Sequence, residues 1–243
     1  EKMGEGGASM EYGPNWSRVQ LKTSAKEVFR RNYGSCVLAG VILSLLSGAV
    51  SIVQKRQTDQ YYIEWGVVIS IGLIALLVEI LVLNVFMVGG CRFFVENRDY
   101  NAPVSKVLFG FQGGHYGNVV WVMFLMGLKI VLWTLLFIIP GIIKTYEYMM
   151  VPYILAEQPD IDQADAFAIS RQLMMNQKFD AFVLHLSFIG WDLLAVFTCG
   201  IVGIFWSIPY YYATEAELYA VLRNAWLQRK NPGDGQGMQG ENL

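Results

Sequence analysis

Several charged side chains of this sequence lie inside long apolar stretches. A charge at the centre of a bilayer costs about 2.5–3.5 kcal/mol on insertion scales, so it faces a partner or water. If these stretches cross a membrane, the charges together predict a polar cavity. For any two of these charges, the alternative is an ion pair whose only role is to fix the order of the helices. The residues assigned to the predicted cavity, with two tyrosines close by in sequence, are Glu79, Lys129, Lys144, Glu147, Tyr148, Asp192, Tyr210 and Glu215.

The stretch 133–153 carries the strongest signal for such a cavity. Lys144 and Glu147 are three residues apart, which places them on one face of a helix. We expect this helix to be central in the protein, with both side chains turned inward. Four helix breaks surround the charged positions: Pro140, Gly141, Pro152 and Pro209.

Each of these breaks has a predicted structural consequence. Pro140 and Gly141 predict a tight turn between two helices, because proline lacks an amide donor and glycine permits a reversal. Pro152 predicts a kink that opens the cavity, which the last helix would share near Pro209 and Tyr210. A plain kink, with the tyrosines as anchors at the membrane interface, is the alternative.

The search for catalytic chemistry finds little. The sequence has no H-E-x-x-H, no G-x-S-x-G, no P-loop and no Cys/His spacing typical of a metal site. His185 and Asp192 are seven residues apart and could form an acid–base pair. The alternative is that His185 is a core histidine whose hydrogen bonds are satisfied within the protein. We therefore expect no catalytic residue, cofactor or metal site. An intramembrane enzyme that acts on a lipid through Glu147 and Glu215 is the alternative.

Composition determines the class of protein. Of the 243 residues, 54% are hydrophobic and only 16% are charged, whereas soluble domains carry about 25% charged residues. Several apolar runs reach roughly the 20 residues needed to cross a bilayer. The sequence predicts an all-α, polytopic membrane protein. With a net charge of −2 and scattered basic residues, no nucleic-acid partner is expected.

The apolar runs predict six transmembrane helices with one or two interfacial amphipathic helices. The spans are predicted at 35–53, 65–88, 118–139, 141–156, 180–198 and 201–222. Surface helices are predicted at 16–31 and within 158–178, and a short interfacial element at 104–111, in a cytoplasmic connection over 89–117. Residues 1–15 and 229–243 are predicted to be disordered, on either side of a membrane domain at 16–228. Glu79 and Lys129 would lie at similar depth, within reach of an ion pair or in one cavity.

Lysine and arginine set the expected orientation, because they collect on the cytoplasmic side of a membrane. This topology places two of the 18 basic residues, Lys55 and Arg56, on one side and two within spans. Both termini are therefore predicted to be cytoplasmic in a multi-pass protein of the cell membrane. The fourteen basic residues of the other side are Lys2, Arg18, Lys22, Lys26, Arg30, Arg31, Arg92, Arg98, Lys106, Arg171, Lys178, Arg223, Arg229 and Lys230.

Four segments together resemble the DUF975 family of bacterial integral membrane proteins. They are SRVQLKTSAKEVFRRNYGSCVLAGVIL, IIPGIIKTYEYMMVPYILAE, AFAISRQLMMNQK and LSFIGWDLLAVFTCGIVGIFWSIPYYYATEAELY. The resemblance covers roughly residues 17–227 and implies a membrane protein without a settled biochemical activity.

A non-enzymatic protein fits these observations best. The predicted cavity would bind or pass a small amphipathic molecule, a peptide or a lipid. The expected partners are membrane lipids, such a ligand and a further membrane protein. With a protein partner, this chain would be a transport-associated or immunity-type subunit. A structural membrane scaffold is a further alternative.

Overall fold

The computed structural model describes residues 16–58 and 65–230, with side chains throughout except at 46–58, 65, 67 and 68. Both predicted disordered segments therefore lie outside the described residues, apart from Arg229 and Lys230, which end the last helix. The α-helices are α1 (Arg18–Arg31), α2 (Tyr33–Thr58), α3 (Trp65–Val78), α4 (Asn84–Asp99), α5 (Tyr116–Leu136), α6 (Ile138–Tyr148), α7 (Val151–Glu157), α8 (Gln163–Leu173), α9 (Lys178–Leu186), α10 (Ile189–Phe197) and α11 (Ile208–Lys230). Two π-helical turns, Glu79–Leu83 and Gly203–Ser207, and a 3-10 helix, Val104–Phe111, complete them.

The predicted all-α class is confirmed for the described part of the chain. Among the residues with described side chains, three helical stretches are long and apolar enough to cross a membrane: Ile69–Asp99, Tyr116–Leu136 and Lys178–Phe197. They correspond to the second, third and fifth predicted spans. Tyr33–Leu45, the part of α2 whose side chains are described, is a shorter apolar stretch at the first predicted span. The fourth predicted span is divided between α6 and α7, and the sixth between a π-helical turn and α11.

The second long helix extends further than predicted. The sequence placed a connection from residue 89, but α4 continues to Asp99, where the Tyr100 amide donates to the Glu96 carbonyl. Close packing explains the extension, because Gly89 lets α4 approach the 3-10 helix around Val107. Val107 and Gly110 of that helix are buried against α4. The short element was thus predicted correctly, but these two residues face protein.

Helix α1 is amphipathic, but its apolar face is buried inside the protein. A capping box between Ser17 and Gln20 starts the helix, which satisfies two amides that would otherwise have no partner. Leu21, Ala25 and Phe29 are buried, and α1 packs mainly along α11. The interfacial prediction was therefore wrong about the environment of this stripe. The remaining surface of α1 is mostly polar, with Val19 as an exposed apolar side chain.

The contacts of Lys22 also explain an unexpected break in the fifth span. Its Nζ lies 4.2 Å from the centre of the Phe188 ring and 3.3 Å from the Ser187 carbonyl oxygen. That carbonyl lies between α9 and α10, where the single helix predicted at 180–198 is interrupted. Burial, with a smaller effect of Arg18, lowers the pKa of Lys22 below its ordinary value.

The predicted turn at Pro140 and Gly141 lies three residues earlier in the structure. Phe137 has an extended backbone (φ −156°, ψ 140°) and separates α5 from α6. Pro140 then occupies the first turn of α6, where its missing amide costs no helical hydrogen bond. Gly141 faces α5 closely, and a Cβ there would lie 2.8 Å from Thr134 Cα. Glycine is therefore needed for the approach of the two helices and not for the reversal.

Burial differs strongly between the described helices. The largest buried side chains come mainly from α1, α4, α7, α8 and α11. Apolar side chains are exposed at the α5–α6 turn, where Leu135 is 77% and Ile139 72% exposed, and at the end of α10, where Phe197 is 78% exposed. An apolar surface of this kind marks contact with a membrane or a partner. The three cysteines are free, with Cys36 and Cys91 buried and Cys199 exposed.

Candidate functional site

A cavity of about 360 Å³ lies between six of the helices. This volume is within the range of ordinary ligand pockets, roughly 300–1,000 Å³. Aromatic and methionine side chains form most of its wall, with a few polar groups among them. The lining residues are Met87, Met126, Ile130, Ile142, Thr145, Tyr146, Tyr148, Met149, Pro152, Tyr153, His185, Tyr211, Tyr212 and Glu215.

His185 is the centre of the polar wall of this cavity. Its Nε2 lies 2.7 Å from Glu215 Oε1, and its Nδ1 lies 3.1 Å from the Tyr146 hydroxyl. The Tyr211 hydroxyl is 3.4 Å from the same Nε2. The Glu215 side chain is 5% and that of His185 22% exposed, so the imidazole is more accessible than the carboxylate. A buried carboxylate next to imidazole and two phenols can hold and exchange a proton.

The tyrosines of the cavity are held in place by ring contacts with neighbouring helices. Tyr153 stacks on Tyr219 with 5.3 Å between ring centroids, and Tyr212 stacks on Phe94 at 5.6 Å. Because such pairs are offset or tilted, they add to packing beyond their buried area. The aromatic wall is therefore fixed by α4, α7 and α11 and does not depend on a bound molecule.

A second polar cluster surrounds Glu147 on the neighbouring face of α6. Glu147 Oε1 lies 2.7 Å from Lys144 Nζ, and its Oε2 lies 2.7 Å from Lys178 Nζ. Arg171 Nε is 3.6 Å from Oε1. The backbone is fixed as well, because the Ser170 hydroxyl donates to the Glu147 carbonyl at 2.8 Å. The carboxylate thus links α6 to α8 and α9.

Lys129 lies close to this cluster but has no carboxylate partner in the part of the chain that the structure describes. Its Nζ sits 3.5 Å from the centroid of the Phe167 ring and 5.9 Å from that of Tyr148. Lys144 Nζ lies 5.6 Å from the same Tyr148 ring. A cation over an aromatic face is attracted by the ring quadrupole. Tyr148 therefore contacts both lysines and also lines the cavity.

The structure separates the predicted cavity residues into three groups. Tyr148 and Glu215 line the cavity, whereas Lys129, Lys144 and Glu147 form the adjacent charged cluster. The other three predicted residues are not among the lining residues. They are Glu79, Asp192 and Tyr210.

The positions of these three residues correct several expectations. Glu79 is exposed, and no ion pair joins it to Lys129 among the described residues. Asp192 is exposed and accepts from Ser207 Oγ at 3.4 Å, so His185 pairs with Glu215 in its place. Tyr210 turns toward α1 and donates to the Lys22 carbonyl at 3.3 Å. These expectations rested on depth and spacing along the sequence, which do not fix the rotation of one helix against another.

The helix breaks relate to the cavity in two ways. Pro152 lines the cavity in the first turn of α7, directly after the interruption between α6 and α7. Pro209 follows the π-helical turn Gly203–Ser207 at the start of α11 and lies against Gly40 of α2. A proline cannot donate to the preceding turn, and π-helical turns accommodate such a missing hydrogen bond. It is Tyr211 and Tyr212, just after Pro209, that reach the cavity.

The sequence analysis missed the roles of some residues that complete these clusters. Lys178 and Arg171 were counted only as cytoplasmic charges, although both contact Glu147. Tyr211 and Glu215 are four residues apart, a spacing that places them on one helical face. The spacing of Tyr211 and Glu215 was visible in the sequence, but His185, which contacts both, lies 30 residues away from Glu215, on another helix.

No potential metal site of three or more His, Cys, Asp or Glu occurs within the described ranges.

Residues 135–225 match the model of a family described as "Protein of unknown function (DUF975)". The predicted resemblance to DUF975 is confirmed. The matched DUF975 segment runs from the end of α5 into α11, and so contains the whole Glu147 ion-pair cluster and the His185–Glu215 contact. Comparisons with curated proteins and with solved structures found no match.

Proposed function

We propose that this chain is a multi-pass membrane protein that holds the apolar part of a small amphipathic molecule in the cavity around His185. One observation carries the proposal: a cavity of about 360 Å³ whose wall combines aromatic and methionine side chains with a partly buried His–Glu contact. Pockets that bind small molecules have this composition, mostly apolar with a few polar groups that fix the ligand's orientation.

The surroundings of the cavity support an amphipathic ligand. Ile142 lines the cavity and is 51% exposed, so an apolar side chain stands at the mouth. The neighbouring Ile143 and Ile139 are exposed too. A molecule with a hydrocarbon chain would therefore enter from an apolar surface and meet the polar groups deeper inside. The methionines of the wall adapt to ligands of different shape.

Membrane insertion and orientation belong to the same proposal. The proposed arrangement has six crossings and cytoplasmic termini. The three long apolar helices support insertion, and the distribution of lysine and arginine supports the orientation. The contacts of Glu147 with Ser170 and Lys178 join this face of α6 to α8 and α9.

Photolabelling tests whether the cavity holds a hydrocarbon chain. The full chain, reconstituted in phosphatidylcholine vesicles, is irradiated with a long-chain fatty alcohol that carries a diazirine, and labelled peptides are mapped by mass spectrometry. We expect labelling at Tyr146, Tyr153 and Tyr211. The variant Met149→Trp should lose most of this labelling, because the indole occupies the cavity.

Leu132→Trp is the matched control, because Leu132 is exposed on α5 and does not line the cavity. It should leave labelling of the three tyrosines unchanged. Labelling confined to the exposed apolar surface, or equal labelling of Met149→Trp and Leu132→Trp, would show that the cavity holds no hydrocarbon chain.

The contacts of His185 favour a second candidate, an enzyme that acts on a lipid by general acid–base catalysis. The imidazole lies between a buried carboxylate and a phenol, each within hydrogen-bond distance, and such a group can transfer a proton to a bound substrate. If so, vesicles of a diacyl phospholipid should yield a lipid product by mass spectrometry, and His185→Gln should abolish it. An unchanged lipid composition after prolonged incubation would remove this candidate.

A further inference from the structure

The charged groups around Glu147 are unbalanced. Lys144, Arg171 and Lys178 all approach its single carboxylate, and Lys129 stands next to them with no carboxylate of its own in the described ranges. We call these four cations and Glu147 the basic cluster. Four positive charges against one negative charge leave a formal excess of three. Like charges held close together repel, so an anion bound here would stabilise the arrangement.

The basic cluster is accessible to a bound molecule. Glu147 is nearly covered, with 6% of its side chain exposed, but Lys144, Lys178 and Arg171 are 23%, 32% and 59% exposed. A molecule would therefore meet the cations first and the carboxylate last. This arrangement suits an anion, because the attractive groups face outward and the repulsive one is covered.

The surface around the basic cluster is formed by exposed apolar side chains. Trp133 is 40% and Ile143 46% exposed, and the Trp133 ring centroid lies 5.5 Å from Lys144 Nζ. Lys129 and Lys144 are eight and seven residues from the apolar turn at Phe137, which at 1.5 Å per residue is about 11–12 Å. Cations next to tryptophan at one level of an apolar surface are typical of sites for lipid headgroups.

From these observations we propose that the basic cluster binds the phosphate-bearing headgroup of an anionic phospholipid. The inference rests on the proposed function, because the acyl chain would then lie in the neighbouring cavity. Tyr148 joins the two sites: its ring faces Lys129 and Lys144 and also forms part of the cavity wall. A lipid with an anionic head and an apolar chain matches the charge of one site and the composition of the other.

Quenching of Trp133 by brominated lipids tests the headgroup directly, because this ring lies beside Lys144. The full chain is reconstituted in phosphatidylcholine vesicles that contain, at equal mole fraction, either brominated phosphatidylglycerol or brominated phosphatidylcholine. The signal of Trp133 is isolated by subtracting the spectrum of Trp133→Phe. We expect phosphatidylglycerol to quench it several-fold more strongly than phosphatidylcholine.

The double variant Lys129→Gln/Lys178→Gln should reduce this preference to equality. Lys26→Gln/Lys230→Gln is the matched control, which removes two positive charges outside the basic cluster and should leave the preference unchanged. Equal quenching by the two lipids in the unmodified protein would overturn the inference even if a variant failed to fold. A preference that persists in Lys129→Gln/Lys178→Gln would overturn it as well.

Two further measurements complete the test. One distinguishes a lipid headgroup from free phosphate, and the other distinguishes the headgroup proposal from the proposed function of the cavity. Inorganic phosphate added at constant ionic strength should leave the preference intact, whereas its loss would assign the site to the free anion and overturn the lipid source. Labelling of the cavity by the neutral fatty alcohol reports on the proposed function alone. Cavity labelling without a headgroup preference would therefore refute only the lipid headgroup.

Discussion

Glu147→Gln is expected to lower the free energy of unfolding by about 2–3 kcal/mol. The substitution leaves Lys144, Lys178 and Arg171 around a neutral amide, and removing one partner of a buried ion pair is strongly destabilising because the other charge stays uncompensated. The three cations are partly exposed, so the loss should fall below the largest values known for fully buried pairs. Thermal unfolding of the purified protein in detergent measures it.

Glu27→Gln provides the control for Glu147→Gln, because Glu27 is exposed on α1 and has no ion-pair partner among the described residues. It should change the melting temperature little. Adding Lys178→Gln to Glu147→Gln should recover part of the lost stability by removing one of the unpaired charges. Similar melting temperatures for Glu147→Gln and Glu27→Gln would contradict the role of Glu147 as the link between α6, α8 and α9.

Gly89→Ala is expected to destabilise the protein by about 3 kcal/mol or more. A Cβ at this position would lie 2.6 Å from the carbonyl carbon of Val107 and closer still to its oxygen. Both atoms belong to backbone, so no side-chain rotation can relieve the overlap, and the 3-10 helix must move away from α4. Overpacking typically costs 1–3 kcal/mol when side chains can adjust.

Gly127→Ala is the matched change in α5, where a Cβ would meet no atom within 4 Å. Alanine is about 1 kcal/mol more favourable than glycine in a helix interior, so Gly127→Ala should stabilise the protein slightly. The two alanine variants should therefore shift the melting temperature in opposite directions. A shift of the same sign and size would show that α4 and the 3-10 helix are not in close contact.

The sequence predicted the helical class and much of the position of the helices because long, continuously apolar runs are typical of helices that cross a membrane. Their boundaries depended on contacts between distant segments, which a run does not show. The extension of α4 to Asp99 needs the approach of Val107 to Gly89. Likewise, the break between α9 and α10 lies at Ser187, whose carbonyl accepts from Lys22, 165 residues earlier in the chain.

The contacts within the site were predictable only where both residues share a helix. Lys144 and Glu147 are in contact because they are three residues apart on α6. The contacts of Glu147 with Lys178 and of His185 with Glu215 join different helices, and their rotation depends on the packing of every helix between them. Depth alone suggested the Glu79–Lys129 pair, but Lys129 lies over the Phe167 ring.

The uninterrupted apolar turn from Leu135 to Ile139 has a consequence for which molecules can reach this end of α5 and α6. Its side chains are exposed on the protein, and Phe137 alone reverses the chain, so the turn offers no hydrophilic loop. Once the turn is covered by hydrocarbon, an antibody or a protease that approaches from that side finds no epitope or cleavage site between α5 and α6. A molecule of this shape is reached mainly through the lipid phase or from the face that carries its charges.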